Sequence, residues 1–188
     1  MISVTKPVGK LAHIETSDLI AYTARVSNPD NPLNLETADK LIRYLLKKSH
    51  WSPFEMVDVT FEIQTTRDIG RQILRHRSFS FQEFSQRYAE VSTQFEDREC
   101  RLQDVKNRQS SIVTNDQNKL FAWNAGLTAV KEVCGNWYKE FLKDGNAKEQ
   151  ARAILPEGLT SSTMYMKGSV RSWFHFCLVR CHPGTQKE

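Results

Sequence analysis

Apolar and polar residues alternate from Val57 to Thr65. Val57, Val59, Phe61, Ile63 and Thr65 interleave with Asp58, Thr60, Glu62 and Gln64. A period of two sends each set to its own face of an extended chain, so this stretch predicts a half-buried strand. A different period runs from Leu120 to Phe141. Leu120, Trp123, Leu127, Val130, Cys134, Trp137 and Phe141 lie three and four apart, which predicts a long helix whose apolar seam is core or subunit interface. Asn34 can cap a helix with Ala38, Leu41, Ile42, Leu45 and Leu46 on one stripe, and Ser17 can cap another running to about Val26, with Leu19, Tyr22 and Val26 on one face.

The remaining segments give weaker signals. Ile2 to Pro7 reads as a short strand and Arg67 to about Arg75 as a short helix, where Arg67, Arg71 and Arg75 share a face near Gln72. Glu90 to Asn115 is polar and aperiodic. It predicts a strand around Cys100 to Val105 and a mobile loop around Asn107 to Asn115. Asn146 with Glu149 starts a helix that Pro156 ends. Leu159 to Lys167 reads as a strand. Ser169 can cap a last helix carrying Arg171, His175 and Arg180, stopped by Pro183. With no repeat and no linker, the expectation is one α+β domain over residues 1–188, an antiparallel or mixed sheet flanked by helices.

Composition narrows the class. The 188 residues suffice for a real core, and 39% hydrophobic with 26% charged content is that of a soluble globular chain. No apolar run approaches the roughly 20 residues of a membrane span, and Met1 to Lys6 lacks a signal peptide's apolar region, so the expectation is a cytoplasmic protein with no membrane partner. A net charge of +4 suits anionic small molecules as well as nucleic acid. Cys100, Cys134, Cys177 and Cys181 form no Cys-x-x-Cys pair and match no usual zinc spacing, so reduced structural cysteines and no metal are expected.

The densest chemistry lies in Arg75-His76-Arg77-Ser78-Phe79-Ser80-Phe81-Gln82-Glu83-Phe84-Ser85-Gln86-Arg87-Tyr88. Guanidiniums fit phosphates or carboxylates, and the aromatic residues offer flat apolar walls. The combination suits a ligand that is anionic at one end and flat and heteroaromatic at the other, such as a nucleotide or a flavin. The alternatives are a solvated basic loop and a groove for single-stranded nucleic acid, with Phe and Tyr as stacking platforms. No Gly-x-Gly-x-x-Gly follows a strand, so a flavin would not be held in the Rossmann manner.

Four blocks, in order, resemble the flavin-dependent thymidylate synthases. They are His50-Trp51-Ser52-Pro53-Phe54-Glu55, then Arg75-His76-Arg77 with Ser85 seven residues on, then Ala151-Arg152-x-x-Leu155-Pro156, then Arg171-Ser172 followed by Arg180. The resemblance covers the chain from about Ala24 onward. It implies methylation of dUMP at C5 to dTMP, with methylenetetrahydrofolate as carbon donor and NADPH-reduced FAD as hydride source. It also implies a homotetramer with flavin lying across subunits and no nucleic-acid partner. A tetrameric flavin-binding protein without synthase activity is the other reading within the same resemblance.

Position by position, the resemblance gives FAD to Ser27, Ser52, Glu55, Arg75, His76, Arg77, Glu83 and His175, with His50 on the flavin and folate side. It gives dUMP to Gln72, Arg75, Glu83, Ser85, Arg87, Arg152 from a neighbouring subunit, and Arg180, which would polarise the uracil carbonyl. The catalytic set it implies is Arg180, Ser85 and His50. Each residue also has a plainer reading. Glu83 can pair with Arg87, Arg152 with Glu149, His50 can end a helix, and His175 between Phe174 and Phe176 can be core. Ser85 has no base among its sequence neighbours, so it is expected to orient dUMP rather than attack it. No cysteine lies in the Arg-rich segment to act as a nucleophile. Two departures stand out. Met56 occupies a place where many members have histidine. The run Cys181-His182-Pro183-Gly184-Thr185-Gln186-Lys187-Glu188 matches only partly where members continue for another helix, leaving open a naturally short or a truncated C-terminus.

Overall fold

A computed structural model describes residues 1–28, 30–182 and 184–185. The fold class is α+β, as expected. In chain order the elements are β1 (Ser3–Val4), α1 (Thr16–Ala24), α2 (Ala38–Lys47), β2 (Asp58–Thr66), α3 (Arg67–Ile73), β3 (Ser80–Glu83), β4 (Arg101–Gln103), β5 (Ser111–Val113), α4 (Gln117–Lys143), α5 (Lys148–Ala151), β6 (Ser161–Ser169) and α6 (Val170–Arg180), with short 3₁₀ turns between some of them. Four strands form a sheet in the order β1-β2-β6-β3, and β4 with β5 forms a separate antiparallel hairpin. The chain divides into two compact units.

The first unit comprises Met1–Glu62, His76–Phe81 and Tyr165–Arg180. β1 pairs antiparallel with β2, Ser3 opposite Thr60. Its core is Ile20, Leu45, Phe54 and Val57, with Leu41, Ile42, Leu46 and Trp51 packed around them. The predicted α2 stripe is therefore the one that is buried. The α1 prediction needs correction. Its N-cap is Glu15, Ser17 lies within the first turn, and Val26 is exposed beyond the helix end. The buried residues are Ile20 and Ala21, because α1 rests on α2 through that face.

Asn34 does cap, but it caps a 3₁₀ turn at Leu35–Thr37 by accepting the Thr37 amide. The far end of α2 closes in a Schellman motif. The Ser49 amide donates to Leu46 O at 3.1 Å and the His50 amide to Leu45 O at 2.9 Å. Ser49 takes φ 56°, the left-handed conformation that such a cap requires.

The second unit comprises 63–75, 82–164 and the residues from Cys181. Its core is Val91, Tyr138, Ala151 and Leu155. The Tyr138 hydroxyl accepts the Val91 amide at 2.9 Å, which satisfies a buried donor of the irregular stretch before β4. Part of the expected mobile loop, Ser111–Val113, is β5, paired with β4 in register Leu102 to Ile112. Short hairpin arms leave too few residues for alternation to show. The helix expected to start at Asn146 starts instead at Lys148, with Ala147 as N-cap and no side-chain bond. Asn146 belongs to the end of α4, where its amide donates to Phe141 O and Gly145 at φ 84° completes a second Schellman motif.

The predicted seam of α4 is a helix face, but within the chain it buries little. Trp123, Val130 and Trp137 are exposed, and the fully covered positions are Gly135 and Tyr138. Ser169 caps α6 as expected, its Oγ accepting the Ser172 amide at 3.3 Å. Pro183, expected to stop that helix, lies outside the described residues, as do Gln186, Lys187 and Glu188 of the C-terminal run. The four cysteines form no disulfide among the described residues.

Candidate active site

The predicted site residues divide between the two units, Ser27, His50, Ser52, Glu55, His76, Arg77, His175 and Arg180 in the first and Gln72, Arg75, Glu83, Ser85, Arg87 and Arg152 in the second. In the first unit the segment after α3 is held by rings. Phe79 packs on Trp173 and Phe176 at centroid distances of 4.8 and 5.9 Å, and the His76 ring lies edge-on to Phe176 at 4.8 Å. Trp173 donates its indole N–H to Val59 O at 3.0 Å, which anchors α6 to β2. Gly168 in β6 makes room for this cluster, since a Cβ there would sit 2.4 Å from the Phe79 ring. Thus held, His76 Nε2 accepts the Nε–H of Arg180 at 3.0 Å. Burial first, and the Arg180 charge second, push the His76 pKa below the usual histidine value, which favours the neutral ring.

The Glu55 carboxylate accepts Ser169 Oγ at 2.5 Å and Arg171 Nη1 at 2.7 Å. These bonds, Ser169 first, hold its pKa below the ordinary glutamate value. Ser169 Oγ lies 3.2 Å from Ser172 Oγ, which donates to Ser78 O at 3.2 Å. Glu55 is thereby linked to the backbone of the arginine-rich segment through two serines. Of these, Ser172 stands in the resemblance blocks, whereas the sequence signals Ser169 only as a cap.

His175 is exposed and rests on the Trp51 ring at 4.9 Å, so it is not a core histidine. His50 is exposed, its backbone amide ending α2 and its ring edge-on to Tyr44 at 6.2 Å. Ser52 and Met56 line a groove of about 620 Å³ with Tyr22, Thr23, Arg25 and Pro53. In that groove Arg25 Nη1 is buried without a partner among the described residues, while Nη2 donates to Thr37. Ser27 is exposed and is not part of that lining. Arg77 is exposed with no bonded partner among the described residues.

In the second unit Glu83 does not pair with Arg87. Its Oε1 accepts Arg67 Nη1 at 3.2 Å and Ser162 Oγ at 2.9 Å. Arg87 instead meets the Glu149 carboxylate at 3.3 Å, and Arg152 donates Nε–H to the Glu149 backbone carbonyl at 3.3 Å. Glu149 therefore gathers both arginines, one by its side chain and one by its main chain. The expected Arg stripe on α3 divides. Arg67 holds Glu83, Arg71 pairs with Glu157, and the exposed Arg75 guanidinium has no bonded partner among the described residues.

Gln72 is half-buried and already engaged. Ser85 Oγ accepts the Arg87 amide at 3.4 Å, and no His, Asp or Glu side chain among the described residues bonds it. Gln86 between them is buried, with Nε2 unpaired among the described residues. A groove of about 870 Å³ in this unit, along Gln64–Thr66, Phe84, Glu96–Arg98 and Ser161–Thr163, is lined by none of the predicted residues.

A family profile for the thymidylate synthase complementing protein matches residues 11–188, which takes in all of these positions. The chain belongs to this family. It is 51% identical to the flavin-dependent thymidylate synthase of Synechocystis sp., covering all of this chain and 86% of that protein. It is 45% identical, with the same coverage, to a Paramecium bursaria Chlorella virus 1 protein named "Probable flavin-dependent thymidylate synthase". Among solved structures, the UMP/dUMP methylase PolB from Streptomyces cacaoi bound with 5-Br UMP superposes with TM-score 0.75 at 28% identity, covering 94% of this chain and 73% of PolB. The crystal form bound with 5-Br dUMP gives TM-score 0.73 at 30% identity over 85% of this chain and 71% of PolB. The four sequence blocks thus lie within the family match over residues 11–188.

Proposed function

We propose that this enzyme methylates dUMP to dTMP, with methylenetetrahydrofolate as carbon donor and NADPH-reduced FAD as hydride source, and releases tetrahydrofolate. The observation that carries the reading is Arg180, held through Nε by His76 on a chain whose family relatives are flavin-dependent thymidylate synthases. PolB, a related fold, is a UMP/dUMP methylase bound with 5-Br dUMP.

The residues present fit a flavin. Arg75 and Arg77 carry exposed guanidiniums unpaired among the described residues, suited to an anionic group, and His175, resting on the half-buried Trp51, offers an exposed ring. Arg75, His76, Arg77, Ser27, Ser52, Glu55, Glu83 and His175 would hold the FAD, with His50 beside it. Bound FAD supplies the hydride that brings the transferred carbon from the formaldehyde level to a methyl group.

The chain's own work is positioning and charge stabilisation. Arg180 donates to the uracil carbonyl as negative charge builds there. Arg87 and Arg152 present cations to the phosphate, with Arg152 serving a neighbouring subunit's dUMP. Gln72, Glu83 and Ser85 orient the nucleotide. Ser85 has no bonded base, which supports orientation over nucleophilic attack. The exposed apolar face of α4 supports a homotetramer, the assembly a composite site requires. No helix among the described residues is long and apolar enough to cross a membrane. The proposed reaction is that of a cytoplasmic enzyme without membrane or nucleic-acid partners.

The test is turnover of dUMP with methylenetetrahydrofolate and NADPH on the flavin-loaded protein. The expected products are dTMP and tetrahydrofolate, formed only with flavin and reductant. Stoichiometric dihydrofolate formed without either would overturn the reading.

A further inference from the structure

We infer that His76 is a positioning residue for Arg180, accepting its Nε–H so as to fix the plane in which the guanidinium meets the uracil carbonyl. This rests on the proposed role of Arg180. An arginine head on its flexible stem has many rotamers, and holding it in one costs entropy unless a partner is already fixed. Here the partner is fixed. The His76 ring is wedged edge-on to Phe176 at 4.8 Å and Phe79 at 6.5 Å, and Phe79 is held in turn by Trp173 and by the Cβ-free backbone of Gly168. A 3.0 Å bond at Nε sets the orientation of the whole planar fork without using its Nη edge.

The bond imposes a protonation state. Nε–H is a donor only, so Nε2 must offer a lone pair and the ring must be the neutral Nδ1–H tautomer. Burial and the adjacent guanidinium favour that neutral form. The charged group acting on the ring is Arg180 of α6, with Arg75 and Arg77 flanking it in sequence, and the other packed partners, Phe79 and Phe176, carry no charge. On acidification the ring gains a proton at Nε2. An acceptor then becomes a donor facing a donor, and two cations stand together. The bond that orients Arg180 through Nε is lost, and the methylation rate falls on the acid side.

His76 also lies in the block that the resemblance gives to FAD, so the experiment separates the two roles in the holoenzyme. His76→Phe keeps a ring against Phe176 and Phe79 but removes the acceptor. His76→Gln restores an acceptor. Each is read as kcat per bound flavin, KM for dUMP, flavin content and pH profile. Loss of a hydrogen bond to a charged group is worth about ten- to a hundredfold in rate. His76→Phe is therefore expected to lose that much kcat with flavin retained, His76→Gln to recover part of it, and the acid limb due to His76 to be absent in the glutamine variant.

Nitrogen-15 histidine NMR of the wild type is the readout independent of activity, and is expected to show a neutral ring protonated at Nδ1. An Nε2–H tautomer, a charged ring at pH 7, or flavin loss in both variants with unchanged kcat per bound flavin would each overturn the inference. If wild-type protein makes no dTMP while NMR finds the expected tautomer, the proposed function fails and the His76–Arg180 contact stands.

Discussion

Gly168→Ala tests how tightly the ring cluster under the arginine-rich segment is packed. Gly168 needs no unusual φ, so the substitution introduces no backbone strain and the effect is steric. The new Cβ would stand 2.4 and 2.6 Å from two Phe79 ring carbons, against 3.4 Å or more for ordinary contact, so ring or strand must retreat by about 1 Å. Phe79 has little room to do so, being packed against Trp173, Phe176 and Phe81. Overpacking of this kind costs about 1–3 kcal/mol. At about 2–4 °C per kcal/mol for a chain of this size, the midpoint of thermal unfolding should fall by roughly 2–12 °C.

The assay is urea unfolding of Gly168→Ala, Phe79→Leu and the double variant. The smaller leucine relieves the clash, so the double variant should be more stable than additivity predicts. A single-variant cost within about 0.5 kcal/mol of zero, or strict additivity for these touching residues, would refute the reasoning.

Ser49→Gly should stabilise the protein by up to about 1 kcal/mol in urea unfolding, because glycine occupies the left-handed cap of α2 without the penalty serine bears at φ 56°. Asp116→Ala should cost about 1 kcal/mol in the same assay, since Asp116 Oδ1 caps α4 by accepting the Asn118 and Lys119 amides. Glu55 has its folded pKa lowered by Ser169 and Arg171, so its contribution is present above the unfolded glutamate pKa and lost as pH falls through the folded value. Unfolding of Glu55→Gln followed against pH should therefore show a shallower loss in that acid range than wild type. Arg87→Ala should weaken dUMP binding by about ten- to a hundredfold, and Arg87→Lys should recover it only in part, because a point charge replaces a fork; equal affinities in calorimetry would remove Arg87 from the phosphate site.

The sequence alone determined the elements whose signal is local and repeated. The apolar stripe of α2, the alternation of β2 and the three-four spacing of α4 each recur over several turns or residue pairs, so one misplaced side chain does not erase them. It also determined which residues are chemically unusual, because motif order and spacing survive without knowledge of the fold. Helix ends were decided by tertiary structure. Asn146 has the composition of an N-cap, but Gly145 at φ 84° turns it into the tail of α4. The β4–β5 hairpin escaped because three-residue arms carry no periodicity.

The pairings of the site belong wholly to the tertiary structure. Neighbour rules put Glu83 with Arg87, yet Glu83 binds Ser162, 79 residues on. Arg180 finds His76 across 104 residues, and Arg171 finds Glu55 across 116. Such partners share no turn of helix and no strand register that a linear pattern records. Within the first unit, His76 meets Arg180 and Glu55 meets Arg171 where the rings of Phe79 and Trp173 pack and Ser169 caps α6.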